Sequence, residues 1–294
     1  MHNFGKLITA MVTPFTVDNE LNFNVIPRLV DYLIQNGSES LVLAGSTGEA
    51  STLTVEEKLQ LFSIAKEAVK GRVKIIAGTG TNSTATTLHL TKEAEKLGVD
   101  AVMLVVPYYN KPSQEGLYQH FKTVAESVNL PIVLYNIPGR TVINLLPETV
   151  ARLAEIDNIV ALKESAGSMD QLSELKRVLP DEFLIYSGDD SLALPMLSLG
   201  AHGIISVASH VVGLEISEMV RSFAEGDHVK ALKIHLSLSP LFKALFVTSN
   251  PVPVKNALNL LGLDVGGVRL PLFEATDLEM EKLTQVLKNM NRLA

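Results

Sequence analysis

One lysine stands where a lysine is costly to place. The run Ile159-Val160-Ala161-Leu162-Lys163-Glu164-Ser165 is apolar up to Lys163, as a buried strand is. An ammonium ion is expensive to bury unless it is paired or neutralised. Desolvation favours the neutral form of a lysine amine, and a neutral amine is a nucleophile that can form an imine with a carbonyl substrate. The alternative is a structural lysine that reaches past the strand end to a carboxylate. Strand context alone leaves both open.

Other groups with usable chemistry also follow apolar runs. Pro131-Ile132-Val133-Leu134-Tyr135-Asn136-Ile137-Pro138-Gly139-Arg140 puts Tyr135 at a strand end and Arg140 in the loop after it. A phenol beside an imine can relay protons, and a guanidinium can clamp a carboxylate with two hydrogen bonds. Taken singly, the same two residues read as a core tyrosine and a solvated loop arginine. Ser46 and Thr47 lie between Gly45 and Gly48. Such a tight loop offers hydroxyls and free backbone N–H groups to a small carboxylate. No Gly-Lys-Ser/Thr follows it, so it is not a nucleotide-binding P-loop. Gly78-Thr79-Gly80 has Ser83 where a dinucleotide fingerprint needs its third glycine. Tyr108-Tyr109, before Asn110-Lys111-Pro112, is a packed pair or an exposed aromatic platform.

These residues must be held by something, and the chain supplies a repeating scaffold. Runs rich in Val, Ile and Leu recur at about 6–13, 40–45, 73–78, 101–106, 131–136, 159–164, 183–187 and 203–207. They are continuously apolar rather than alternating, as strands of a parallel sheet covered on both faces should be. Helix-period stretches separate them. Thr54-Val55-Glu56-Glu57 opens one with a capping-box pattern, Ser113-Gln114-Glu115 and Pro147-Glu148 open two others, and Gly37, Gly71 and Gly98 stand where helices should stop. Strict alternation of eight strands with eight helices predicts an α/β chain closed into a (β/α)8 barrel. An open doubly wound sheet is the rival. The barrel is favoured because polar residues gather at the C-terminal end of nearly every strand. Helical patterns near 214–225, 227–247, 253–262 and 276–291 exceed what the barrel needs. We therefore expect the barrel and its active site over 1–225, with a C-terminal helical extension over 226–294 packed on it.

Composition excludes several function classes. The chain has 25 basic and 32 acidic residues among 294 and no basic cluster, which argues against nucleic-acid binding. It has no Cys, so disulfides, thiol nucleophiles and thiolate metal sites are excluded, and a cytoplasmic location fits. The seven His residues show no metal-ligand spacing. No apolar run reaches the roughly 18 residues of a membrane span. The early run in KLITAMVTPF reads as a first core strand rather than a signal peptide, because Pro14, Asp18 and Glu20 follow it.

Taken in order, the motifs resemble those of the dihydrodipicolinate synthase family. They are GSTGE after the second strand, AGTGTN after the third, PYYNKPSQEGLYQHF after the fourth and LYNIPGRT at the fifth. ALKES follows on the sixth, SGDD on the seventh, GIISV on the eighth, and NPVPVK at 250–255. The resemblance spans essentially the whole chain. It implies condensation of pyruvate with L-aspartate 4-semialdehyde on the route to lysine and diaminopimelate, with no cofactor and no metal. It implies that Lys163 forms the pyruvate imine. Tyr135 would be the acid/base group, relayed through Ser46 to a Tyr109 supplied by the neighbouring subunit. Thr47 would bind the pyruvate carboxylate and Arg140 the carboxylate of the aldehyde, while Gly188 and Ile205 would contribute backbone groups. A homo-oligomer follows from it, an obligate dimer and commonly a dimer of dimers.

Two departures from the family pattern matter. Ser46 stands where the family usually has a second Thr, and Ser-Thr at this place is similar to N-acetylneuraminate lyase, a sister aldolase. Arg140 favours the synthase, since it gives the small aldehyde acid's carboxylate a partner. A 2-keto-3-deoxy sugar acid aldolase is a further alternative, and a non-catalytic keto-acid-binding barrel is the weakest. Lysine-inhibited members carry His and Glu in an interface pocket where this chain has Val55, Lys58 and Thr86, with Asn82 and Tyr108 retained. A cation should bind poorly there, so weak or absent lysine feedback is expected.

Overall fold

Eight short strands, each too apolar to face water on either side, close on one another. In the computed structural model, which describes residues 3–293, these are β1 Leu7–Ala10, β2 Ser40–Leu43, β3 Lys74–Gly78 and β4 Ala101–Val105. They continue with β5 Ile132–Asn136, β6 Ile159–Glu164, β7 Leu184–Ser187 and β8 Gly203–Ser206. All neighbours are parallel, and β8 returns to pair with β1 through Ile8 and Ile205, so the sheet is a closed barrel rather than an open one. Alternate residues point inward. Ile8, Val42, Ile76, Met103, Val133, Tyr135, Ala161, Tyr186 and Ile205 fill the interior, while their neighbours in sequence face a second apolar layer under the helices.

The helices are α1 Val25–Gln35, α2 Val55–Val69, α3 Thr84–Lys96, α4 Gln114–Ala125, α5 Pro138–Thr141 and α6 Pro147–Leu153. The rest are α7 Met169–Val178, α8 Ala193–Ser198, α9 Ser209–Ala224, α10 His228–Ala244, α11 Val252–Leu260 and α12 Asp277–Asn289. Helix α2 has the reciprocal capping box of Thr54 and Glu57, α4 begins at the Ser113 cap, and α6 has Pro147 in its first turn. Among the described residues no helix is long and apolar enough to cross a membrane.

Two elements differ from the sequence expectation. Residues 138–141, read as loop, form the single turn α5. Pro138 presets the helical φ at its first position and Val142, at φ 67°, ends it. Helix α9 starts at Ser209 rather than near 214, and it is broken at Val212. Its entry is fixed from outside the helix, because the buried carboxylate of Asp190 accepts from Val207 N (3.1 Å) and Ala208 N (2.9 Å).

His210, wholly buried, ties this entry to the end of β1. Val12 N–H donates to its Nε2 (3.2 Å), so the ring proton sits on Nδ1 and donates to Val207 O (2.8 Å). Burial lowers its pKa from 6.5 to about 4, with the Val207 hydrogen bond opposing. The folded state thus excludes a proton that the unfolded chain accepts below pH 6.5, and stability from this group is lost as pH falls. We expect the stability advantage of wild type over His210→Gln, from urea midpoints, to shrink by about 1.4 kcal/mol per pH unit between pH 6.5 and about 4. A pH-independent difference would contradict this protonation state.

Candidate active site

The register of the barrel sets the centre of the site. Lys163 on β6 pairs with Tyr135 on β5 and with Tyr186 on β7. The alternation of β6 sends Lys163 inward and Glu164 outward. The Glu164 carboxylate accepts from Asn136 Nδ2 (3.1 Å), Gln171 Nε2 (3.2 Å) and Ala166 N (2.6 Å). Burial raises its pKa, against the pull of those bonds. Lys163 is 5% exposed. Among the described residues it pairs with no carboxylate, and its Nζ lies 4.3 Å from the centroid of the Tyr135 ring. At the end of β7, a Cβ on residue 188 would sit 2.9 Å from Lys163 Cε and closer still to Ser165 Oγ. Gly188 is therefore the residue that leaves the amine its space.

Above the amine, the loop after β2 is locked in a tight turn. Glu49 N donates to Ser46 O (3.1 Å) and Ala50 N to Gly45 O (3.2 Å). The buried Glu49 carboxylate then reaches α11, accepting from Lys255 Nζ (3.0 Å), and also accepts from Arg269 N (2.9 Å). Lys255 Nζ donates in addition to Thr13 O (2.9 Å) and lies 4.2 Å from the Phe15 ring centroid. Asn250, just before α11, donates from Nδ2 to Thr47 Oγ1 (2.9 Å) and accepts at its backbone O from Arg140 Nη2 (3.4 Å). The C-terminal segment thus holds the loop that carries Ser46 and Thr47.

A cavity of about 290 Å³ opens here, lined among others by Ser46, Met103, Tyr135, Arg140, Asn250 and, farther out, Tyr108 and Lys58. Ser46, Tyr135 and Arg140 are thereby brought together as the sequence suggested. Lys163, Thr47, Gly188 and Ile205 are not among its lining residues. Lys163 lies against the Tyr135 ring, Gly188 against Lys163, and Thr47 is hydrogen-bonded to Asn250. Ile205 packs in the same interior cluster as Tyr135. Tyr109 is not brought in: it is 88% exposed, at φ 74°. Among the described residues no hydrogen bond joins Tyr135, Ser46 and Tyr109. Among them, too, no group of three or more His, Asp or Glu could hold a metal ion.

Sequence reasoning missed Asn250, Glu49 and Lys255 as site components. NPVPVK at 250–255 was legible as a motif, but nothing local says that a segment 200 residues on caps the loop after β2. Three lysines are buried among the described residues, at positions 58, 163 and 255. Lys255 has its carboxylate. Lys58 pairs with none among the described residues, and burial lowers its pKa.

Residues 3–290 match the model of the dihydrodipicolinate synthetase family. A 4-hydroxy-tetrahydrodipicolinate synthase of Desulforamulus reducens is 58% identical over 292 residues, covering 99% of each chain. The chain belongs to the dihydrodipicolinate synthetase family. Solved structures of family members superpose along nearly the full length. The dihydrodipicolinate synthase DapA-2 of Bacillus anthracis is 50% identical with a TM-score of 0.96, covering 98% of this chain and 99% of that one. The enzyme from Cyanidioschyzon merolae, solved with lysine bound, is 46% identical with a TM-score of 0.97 over 99% of both chains.

Proposed function

We propose that this chain acts as a 4-hydroxy-tetrahydrodipicolinate synthase, forming the imine of pyruvate on Lys163 and condensing it with L-aspartate 4-semialdehyde. One observation carries the assignment of the nucleophile. Of the three lysines buried among the described residues, Lys255 is fixed by Glu49 and Lys58 stands on helix α2, while Lys163 alone projects from a barrel strand and pairs with no carboxylate. Its amine attacks the keto carbon, water leaves, and the iminium accepts the C–H electron pair as a base removes a proton from the pyruvate methyl, giving an enamine. The enamine carbon attacks the aldehyde, and Tyr135, against the amine, handles the protons. Thr47 receives the pyruvate carboxylate and Arg140 that of the aldehyde. Gly188 and Ile205 border the imine with backbone groups.

Tyr109 supports a dimer in this reading. A tyrosine held at positive φ and almost fully exposed is suited to a partner's site, where it would meet Ser46 and extend the proton path from Tyr135. We place the enzyme in the cytoplasm as a dimer or a dimer of dimers, with the barrel over 1–225 and the helical extension over 226–294.

The test is the rate of product formation with a panel of aldehydes. L-aspartate 4-semialdehyde is expected to be used far better than N-acetylmannosamine or a sugar-derived aldehyde. Preference for either sugar would assign the chain to the lyase or sugar-acid branch. Arg140→Ala is expected to raise the KM for the aldehyde about 100-fold, as loss of a bidentate carboxylate contact should. Pyruvate imine formation should change little. Equal loss of both would remove the role given to Arg140.

Lysine is expected to inhibit weakly or not at all. The relative from Cyanidioschyzon merolae holds lysine, but here the buried amine of Lys58 lines the cavity beside Tyr108 and opposes a second cation. Inhibition at low millimolar lysine or below would refute this.

A further inference from the structure

Asn250 joins the two places where carboxylates are proposed to bind. It is 5% exposed, and its side chain and backbone face different partners. Nδ2 donates to Thr47 Oγ1 at 2.9 Å, while the backbone oxygen accepts from Arg140 Nη2 at 3.4 Å. Its Oδ1 is buried with no partner. A buried acceptor without a donor is unfavourable, so an orientation that leaves one calls for a reason.

We propose that Asn250 is a positioning residue that sets the direction of the Thr47 hydroxyl proton. The inference rests on the reading of Thr47 as the pyruvate-carboxylate group. A threonine hydroxyl has one proton and two lone pairs. The Asn250 N–H fills a lone pair, so the proton is not used on Asn250 and remains free to donate to an incoming carboxylate. Thr47 is 3% exposed, and where water is scarce the polarity of a hydrogen bond is not easily exchanged. Turning the amide over would reverse this: Oδ1 would take the Thr47 proton, and the hydroxyl would offer a lone pair to the carboxylate. The amide stands in the orientation that keeps the donor on Thr47, with Oδ1 unpartnered. Arg140 is held by the main chain of residue 250 and is independent of its side chain.

The experiment compares Asn250→Asp and Asn250→Ala with wild type in the full-length protein. It measures the pyruvate concentration that half-saturates borohydride trapping on Lys163 without aldehyde, together with the KM of each substrate and the melting temperature. Alanine is expected to raise half-saturating pyruvate about tenfold, the loss of roughly one oriented hydrogen bond to a charged group. Aspartate, nearly the same shape, is expected to raise it more, because it takes the Thr47 proton and adds a like charge. The aldehyde KM should move by less than about threefold, since the backbone oxygen remains. A purely structural Asn250 would move both substrates together or lower the melting temperature without this order. Asn250→Asp that binds pyruvate as wild type does, or better than Asn250→Ala, overturns the inference alone. Wild type that traps no pyruvate overturns the proposed function and this inference with it. Should the Asn250 variants fail to fold, Thr47→Val serves, and unchanged pyruvate affinity in that variant overturns the reading of Thr47 and this inference with it.

Discussion

Lys163→Ala is expected to cut kcat by at least about 10³-fold while leaving the fold intact or slightly firmer. The activity loss follows from removing the atom on which the covalent intermediate forms; variants lacking a nucleophile retain only what binding and orientation supply. The stability expectation follows from burial. The side chain is 5% exposed and pairs with no carboxylate among the described residues, so its removal leaves no charged partner stranded, and the interior around Ala161 and Tyr186 is already apolar. Steady-state kinetics and a thermal melt on the same sample check both halves. Activity within tenfold of wild type would rule out a covalent role for Lys163.

Lys255→Ala is expected to do the opposite, costing about 3–5 kcal/mol of stability, the range for breaking a buried pair and leaving one charge uncompensated. The pair is enclosed on both sides, with side chains 1% and 0% exposed. Burial draws the Lys255 pKa down to about 8, with the Glu49 charge opposing, so the amine is charged at neutral pH and its loss strands the Glu49 carboxylate. Because Glu49 ends the turn that holds Ser46 and Thr47, the variant should also lose pyruvate affinity. Replacing both partners by apolar residues of similar volume, Lys255→Met with Glu49→Leu, should recover most of the lost stability. Urea denaturation measures each step. A single variant as stable as wild type would show that the ion pair is not what holds the C-terminal segment to the barrel.

The contrast between these two lysines shows what the sequence could carry. Lys163 was legible because it interrupts an apolar strand, and strand alternation suffices to aim it inward. Tyr135 and Arg140 were legible for a similar reason, at the end of one strand and just past it. The barrel itself could be read from the spacing of eight apolar runs, since parallel strands buried on both faces have little choice of composition. Lys255 falls in the helix-period stretch at 253–262, where a lysine is ordinarily solvated. Its burial depends on Glu49 and Phe15, more than 200 residues away in sequence, and no local pattern encodes that meeting. Asn250 escaped notice likewise, as its partners Thr47 and Arg140 come from the loops after β2 and β5. The turn α5 was missed because four residues are too few for a periodic signal, although Pro138 marked its start. Tyr109 belongs to a third class: its exposure is plain in the single chain, and its proposed partner lies in another.

The most direct measurement is reduction by borohydride in the presence of pyruvate, followed by peptide mass mapping. The account predicts one pyruvate-derived adduct per chain, on Lys163, with Lys58 and Lys255 unmodified although both are buried amines. An adduct on either of those, or no adduct at saturating pyruvate, would contradict it.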